Sequence, residues 1–219
     1  MQYNKKKAVS GGVDEHRRKP KNPLHRNQEN SMTEKKIAVL FPGIGYTCDR
    51  PLLYYTGKLA AGMGYEIVRV SYGNFPSGAK GNREKMQRCF EIALEQTREI
   101  LREADWAAYD EILFVSKSIG TAVASAYAKE KGLKVRSILY TPLAETFLFA
   151  DADAIAFHGT ADPWAGDEAV TEGCAGLGIP LYITEGANHS LETGDVIADV
   201  TELGKVMKTV CAYLKRQTE

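Results

Sequence analysis

The chain has 219 residues and a mass of 24.1 kDa, which suits one domain with a core of ordinary size. Its residues are 44% hydrophobic and 26% charged, proportions that argue against disordered, fibrous and coiled-coil proteins. Lys+Arg and Asp+Glu each total 28, so the net charge gives no reason to expect nucleic acid or a membrane as a partner.

The charges are unevenly distributed along the chain. Residues 1–31 contain eight basic and three acidic side chains, with few apolar residues between them. Such a segment cannot bury enough surface to offset its ordering entropy, so we predict a disordered basic N-terminal tail over 1–33 and one folded domain over 34–219. The tail is interpreted as solvated chain, with a polyanion-binding arm as the alternative. Met32 is a candidate natural start of the folded part.

The N-terminus, the lengths of the apolar segments and the cysteine spacing all bear on the cellular compartment of the protein. The first residues lack the apolar run of a secretory signal, and no segment reaches the roughly 18 unbroken apolar residues of a membrane-spanning helix. Cys48, Cys89, Cys174 and Cys211 are scattered without a C-x-x-C pair, which favours reduced thiols. We therefore expect a cytoplasmic protein.

From residue 36 onward, short apolar runs alternate with segments of helical periodicity. Strands are predicted at Ile37–Phe41, Glu66–Val70, Ile112–Ser116, Val135–Tyr140, Ala154–Phe157 and Pro180–Thr184. Helices are predicted at 50–62, 82–105, 119–131, 167–177 and 195–216. Nearly continuous apolar strands are covered on both faces, and their alternation with helices favours right-handed crossovers. The predicted fold class is α/β: a three-layer α/β/α sandwich with a mostly parallel sheet of about six strands.

Two of the predicted helices have well-marked apolar faces. The helix over 82–105 begins after a possible Asn82 cap, and its stripe includes Ile100 and Leu101. The last helix has a seam that starts at Val200 and continues through Leu203. Both faces are expected to pack on the sheet.

Ligands of open parallel sheets bind beyond the carboxyl ends of the strands, so we considered the segment after each strand. The first segment contains Pro42-Gly43-Ile44-Gly45-Tyr46, but Cys48 stands where a dinucleotide-binding motif needs its third glycine. The second, 73–80, lacks the Lys-Ser/Thr ending of a phosphate-binding loop. Neither cofactor site is predicted.

The segment after the third strand carries the strongest signal. It reads Ser116-Lys117-Ser118-Ile119-Gly120 and connects a buried strand directly to a helix of small residues. A sharp strand-to-helix turn exposes its middle residue and requires small residues two positions to either side, which Ser116 and Gly120 satisfy. Ser118 is therefore a candidate nucleophile. The alternative is that Ser118 only caps the helix.

A serine hydroxyl becomes a good nucleophile when a base takes its proton and an acid orients that base. Asp162 follows the fifth strand and His189 the sixth, which gives the chain order Ser, Asp, His. His158 is the alternative base and Glu145 the alternative acid. A zinc site built from His158, Asp162, Cys174 and His189 lacks the tight ligand spacing of such sites, so no metal is predicted.

These segments together resemble the α/β-hydrolase superfamily, and more closely its small, lidless members of the dienelactone-hydrolase-like kind. The resemblance covers the chain from Lys36 to about Lys215. It implies that Ser118 is the nucleophile, Asp162 the orienting acid and His189 the general base.

The resemblance also implies an oxyanion hole. Pro42-Gly43-Ile44-Gly45 stands where the family has a His-Gly-x-Gly loop, so the backbone N–H groups of Ile44 and Ile119 are the candidate donors. The sequence departs from the family pattern at two positions, since Ser116 replaces the usual first glycine and Pro42 replaces the usual histidine.

The expected function is that of a serine hydrolase that cleaves a small carboxylic ester through an acyl-enzyme, without a cofactor and as a monomer or homodimer. A thioesterase or peptidase with the same triad and a non-catalytic binding protein remain alternatives. The short connection between the fourth and fifth strands leaves no room for a large cap, so the site is expected to be open and shallow. Its candidate lining residues, each also interpretable as ordinary packing, are Tyr46, Phe75, Pro142, Leu143, Phe147 and Trp164.

Overall fold

A computed structural model describes residues 34–79 and 81–216, in which strands and helices alternate along the chain. The predicted tail, 1–33, lies outside the described residues. The strands are β1 (Lys36–Phe41), β2 (Tyr65–Arg69), β3 (Glu111–Lys117), β4 (Arg136–Tyr140), β5 (Ala154–Gly159) and β6 (Leu181–Thr184). The α-helices are α1 (Pro51–Gly62), α2 (Arg83–Ile100), α3 (Ile119–Lys131), α4 (Asp167–Leu177) and α5 (Val196–Leu214), and short 3-10 helices span Trp106–Ala108 and Ala144–Leu148.

The six strands form one sheet in the order β2-β1-β3-β4-β5-β6. Every pair of neighbours is parallel. The strand ends that lead into the candidate site therefore lie along the same edge of the sheet. The predicted α/β class with a mostly parallel sheet is confirmed, and each predicted strand is present with its ends shifted by no more than two residues.

Side chains that alternate along β3 divide the core into two layers. Leu113 and Val115 pack with α1 and α5, whereas Ile112 and Phe114 pack with α2 and α3. A third apolar cluster joins α4 to β4 and β5. Because both faces of the sheet are covered, the three-layer arrangement is also confirmed.

Two helices differ from the prediction at their ends. The helix predicted over 82–105 stops at Ile100, after which the amide of Arg102 bonds to the carbonyl of Glu99 in a tight turn. Ile100 is 42% exposed rather than part of the apolar stripe, whereas Leu101 is buried beyond the helix end. The prediction that Val200 belongs to the apolar seam of the last helix is also wrong. At its start α5 extends past the core and leaves this side chain 63% exposed.

The helices that the structure describes are too short or too polar to be membrane spans. None in the described part of the chain combines the length and apolar composition needed to cross a membrane.

Candidate active site

Ser118 occupies a strained turn between β3 and α3. Its backbone angles, φ 57° and ψ −127°, belong to a region that residues with a side chain rarely adopt. The Ser118 side chain makes no capping hydrogen bond to α3, so the interpretation of this residue as a helix cap is not supported. The hydroxyl is directed elsewhere.

Small residues on either side make this turn sterically possible. A Cβ atom on Gly120 would lie 2.5 Å from the carbonyl oxygen of Pro42 and 2.6 Å from that of Phe41, which is far inside van der Waals contact. Ser116, which replaces the usual glycine, is fully buried, and its hydroxyl donates a hydrogen bond of 3.2 Å to the carbonyl of Ile138 on β4. The buried hydroxyl that serine introduces at this position is therefore hydrogen-bonded.

The structure brings Ser118, His189 and Asp162 into one hydrogen-bonded chain. The Ser118 Oγ lies 2.7 Å from Nε2 of His189, and Nδ1 of the same ring lies 2.6 Å from Oδ2 of Asp162. The backbone N–H of Trp164 donates to the other oxygen of Asp162 at 2.9 Å. In this arrangement Nδ1–H of the imidazole faces the carboxylate, and the free lone pair on Nε2 faces the serine hydroxyl.

Close contact between two loops holds the histidine in place. A Cβ atom on Gly159, at the end of β5, would overlap the carbonyl oxygen of Ala187, so this strand end and the loop after β6 pack backbone to backbone. The amide of Ala161 donates to the carbonyl of Ala187 at 2.9 Å. The hydroxyl of Thr141, which follows β4, donates to the carbonyl of His189 at 3.1 Å. Three strand ends therefore position one imidazole.

Burial and hydrogen bonding set the charge states of Asp162 and His189. Burial by itself would raise the pKa of Asp162, but hydrogen bonds from His189 and Trp164 and the charge of Lys117 bring that pKa below the ordinary value. Burial lowers the pKa of His189, the bond to Asp162 raises it, and the nearby Lys117 lowers it again, with a net decrease. At neutral pH the pair is therefore a carboxylate and a neutral imidazole.

His158, the alternative base, contacts two carboxylates, whereas the imidazole bonded to Ser118 is that of His189. It is fully buried on β5, its Nε2 lies 2.7 Å from Oδ1 of Asp167, and its Nδ1 lies 3.9 Å from Oδ2 of Asp162. Glu145, the alternative acid, belongs to the 3-10 helix after β4, whereas the carboxylate that contacts His189 is that of Asp162. Among residues 34–79 and 81–216, no group of three or more His, Cys, Asp or Glu side chains could hold a metal ion.

The candidate oxyanion donors belong to two segments that meet at Ser118. Ile119 is the first residue of α3, so its N–H has no partner within the helix. A Cβ atom on Gly43 would lie 3.0 Å from the Cβ of Ser118, so the loop after β1 passes directly against the serine. Ile44 follows in a turn closed by reciprocal backbone hydrogen bonds between Gly43 and Tyr46. Both candidate N–H groups are thus on segments adjoining the serine.

The six candidate lining residues have different environments. Trp164 is 40% exposed with its ring centroid 6.4 Å from that of His189, so it borders the site. Phe147 packs against Gly173 of α4, Leu143 lies between two core clusters, and Phe75 packs beside Tyr72 in the core. Pro142 is buried directly after β4.

Tyr46, the remaining lining candidate, borders a groove of about 400 Å³. The groove lies between the start of α1 and the chain from Ser190 to α5, and its walls include Leu52, Leu191 and Val200. Its residues are therefore chain neighbours of both the candidate oxyanion loop, 42–45, and His189. A mainly apolar wall of this kind suits an uncharged organic group.

Lys117 is a residue of the site that the sequence interpretation did not single out. It lies inside the strand-to-helix turn, immediately before Ser118, and its side chain is only 1% exposed. Burial lowers the pKa of Lys117 to about 7, although the negative charges of Asp162 and Glu192 act in the opposite direction. The signal in the sequence was a lysine directly after the apolar and small residues Ile112–Ser116.

Comparison with known proteins identifies the fold. No protein-family model matches the sequence, and no curated protein matches it. Among solved structures, an α/β serine hydrolase homologue from Coxiella burnetii has a TM-score of 0.59 and 18% identity, over 83% of this chain and 86% of that one. A lidless α/β serine hydrolase from Xanthomonas campestris has a TM-score of 0.52 and 16% identity, over 87% and 88%.

An esterase from Pyrococcus furiosus is similar to the same extent, with a TM-score of 0.57 and 12% identity over 84% of each chain. These likenesses extend over nearly the full length of the neighbours, so the whole domain is shared rather than a fragment. The chain has the α/β-hydrolase fold, as the sequence motifs predicted. In the described residues, β4 and β5 are joined by a short segment with one 3-10 helix rather than by a large cap.

Proposed function

We propose that the protein is a serine hydrolase that cleaves a small carboxylic ester through an acyl-enzyme intermediate. The observation that carries the proposal is the continuous hydrogen-bonded chain from the Ser118 hydroxyl through His189 to Asp162. A fold hosts many functions, so the argument rests on this geometry rather than on the fold. The structural neighbours described as serine hydrolases and as an esterase support the same reaction class.

The first half of the reaction acylates the serine. The Ser118 oxygen attacks the ester carbonyl carbon while its proton passes to Nε2 of His189. Negative charge that develops on the carbonyl oxygen is stabilised by the N–H groups of Ile44 and Ile119. The bond between the former carbonyl carbon and the alkoxy oxygen then breaks, and the departing alkoxide takes the proton from the imidazolium. The carboxylate of Asp162 stabilises the imidazolium without taking the proton itself.

The second half releases the acid. Water replaces the alcohol, gives a proton to Nε2 of His189 and attacks the acyl carbon, after which the bond to Ser118 breaks and the serine regains its proton. The net reaction consumes one ester and one water and yields an acid and an alcohol. Every step uses groups of this chain and water, so the proposal needs no cofactor.

The groove formed by chain neighbours of the loop after β1 and of His189 favours an ester with compact, uncharged groups. The groove beside Tyr46 and Leu191 offers apolar walls, whereas Glu192 at its rim would repel an anionic group. Trp164, next to His189, offers a second apolar surface.

The experiment is hydrolysis of p-nitrophenyl esters from acetate to decanoate by the wild type and by Ser118→Ala. We expect turnover that favours short chains and disappears in the variant. Ser71→Ala, which changes an exposed serine after β2, is the matched control and should retain full activity. A fluorophosphonate probe should label the wild type and Ser71→Ala but not Ser118→Ala. Absence of both turnover and labelling in the wild type would reject the proposal in favour of a binding protein.

A further inference from the structure

Lys117 presents an energetic problem that the proposed mechanism does not explain. Its side chain is among the largest fully buried ones of the protein. Within residues 34–79 and 81–216, its ammonium makes no hydrogen bond or salt bridge, and it lies over the ring of Tyr46, whose centroid is 5.0 Å from Nζ. Burial of a charge that touches no carboxylate opposes folding, so this residue is a candidate for a role in function.

The course of the side chain places the charge beneath the oxyanion loop. Lys117 continues the row of Leu113 and Val115 on β3, so its stem enters the core layer formed with α1 and α5. A Cβ atom on Gly43 would lie 3.6 Å from Cγ of Lys117, which puts the stem in contact with the loop. The loop residue Tyr46 then covers the ammonium through a cation–π contact.

Ionisable groups face this ammonium from three loops. Tyr46 comes from the loop after β1, Asp162 from the loop after β5, and Glu192 with His189 from the loop after β6. The charge of Lys117 acts on both Asp162 and His189, and it acts in the same direction on each by favouring the less protonated form. The buried His158 also disfavours the protonated form of His189.

We propose that Lys117 is a positioning residue whose buried ammonium keeps Asp162 ionised and His189 unprotonated, so that the base is ready to accept the serine proton. This inference rests on the proposed function for its catalytic meaning. The effect of the Lys117 charge on Asp162 and His189 does not itself require turnover. Lys117 does not touch the substrate in this scheme, and it acts through His189.

The charge is present where the proposal needs it. Burial lowers the pKa of Lys117 to about 7, and the pKa of His189 is lowered from the ordinary 6.5. Lys117 is therefore mostly charged through the pH range in which His189 loses its proton. Removing the charge should move the titration of His189 to higher pH, since a like charge then no longer opposes its protonation.

The test is NMR titration of the His189 ring in the full-length wild type, in Lys117→Met and in Lys58→Met. Lys58 is the matched control, because its Nζ also lies over a tyrosine, 5.6 Å from the ring centroid of Tyr54, but on the exposed face of α1. We expect the His189 midpoint to move to higher pH in Lys117→Met and to stay unchanged in Lys58→Met. The pH at which fluorophosphonate labelling of Ser118 reaches half its maximum should move in the same direction.

Stability separates this role from a structural one. Methionine fills the space of the lysine stem without a charge, so Lys117→Met should unfold at the same or a higher temperature than the wild type. A folded variant with an unchanged His189 midpoint overturns the proposal, and so does loss of the fold, which would make Lys117 structural. In the wild type, a Lys117 side chain that has already lost its charge at the pH of the His189 midpoint would also overturn the proposal.

These titrations do not require turnover, so the two proposals can fail separately. If the wild type neither hydrolyses esters nor reacts with the probe, while the His189 midpoint still depends on Lys117, the hydrolase proposal is rejected and the electrostatic role stands. If the enzyme is active and the midpoint does not respond, the opposite conclusion holds.

Discussion

Gly120→Ala tests whether the contact between the serine turn and the oxyanion loop is required for catalysis. The added Cβ would lie 2.5 Å from the carbonyl oxygen of Pro42 and 2.6 Å from that of Phe41, and both neighbours are backbone atoms that no rotamer change can move. Either α3 or the loop after β1 must shift. Overpacking of this kind costs about 1–3 kcal/mol of stability.

The effect on catalysis should exceed the effect on stability. Because Ile44 lies two residues beyond Pro42, a shift of this loop displaces one candidate oxyanion donor, and loss of one such donor lowers kcat by about 10²–10³-fold. In a domain of this size, each 1 kcal/mol lowers the melting temperature by only about 2–4 °C. The variant should therefore be folded at room temperature and nearly inactive.

The assay is kcat/KM for p-nitrophenyl acetate together with thermal unfolding followed by circular dichroism. Gly204→Ala is the matched control, since this glycine lies inside α5 with no atom within 4 Å of the added Cβ. It should keep full activity and gain up to about 1 kcal/mol from helix propensity. Wild-type kcat/KM in Gly120→Ala would refute the reasoning, because it would mean that the loop does not depend on this close approach.

Three further predictions concern the triad. Asp162→Asn should lower kcat for p-nitrophenyl acetate by about 10⁴-fold, because the amide no longer holds His189 in the required tautomer. The circular dichroism spectrum should stay unchanged. A loss of less than tenfold would exclude Asp162 as the orienting acid. The acid limb of kcat/KM should have its midpoint below the ordinary histidine value of 6.5, since burial lowers the pKa of His189 and only the neutral ring accepts the serine proton; a midpoint above 6.5 would contradict the assigned base. Gly159→Ala should reduce both melting temperature and kcat, because its Cβ would overlap the carbonyl oxygen of Ala187 in the loop that carries His189; unchanged values of both would show that this packing is not needed.

The architecture was predictable from the sequence because its strands are buried on both faces. Apolar runs such as Ile112–Ser116 differ sharply from the amphipathic helices between them, and this contrast marks each element. The helix ends were less predictable. The stripe of α2 continued through Leu101, but that side chain is buried beyond the end of the helix, where the chain turns back. A buried apolar residue inside a helix and one just beyond the helix end therefore look alike in the sequence.

The spatial contact of Ser118, Asp162 and His189 followed from their positions after three parallel strands, since the carboxyl ends of such strands meet. The role of the glycines did not, because only the folded structure shows which carbonyl oxygens a Cβ atom on Gly120 would meet. The environment of Lys117 was hidden for a similar reason. Its ammonium lies over the ring of Tyr46, a residue 71 positions earlier in the chain.

The place of β6 in the sheet has a consequence for folding. This strand lies at the sheet edge, and β5 is its neighbour there. The loop after it carries His189, whose contact with Ser118 joins residues 71 apart in sequence. Elements with few buried side chains open at lower free energy than the core, and the side chains of β6 are exposed or half-buried. Local opening of β6 would thus separate His189 from Ser118 while the central strands remain paired, so the proposed activity would report on assembly of the outermost strand.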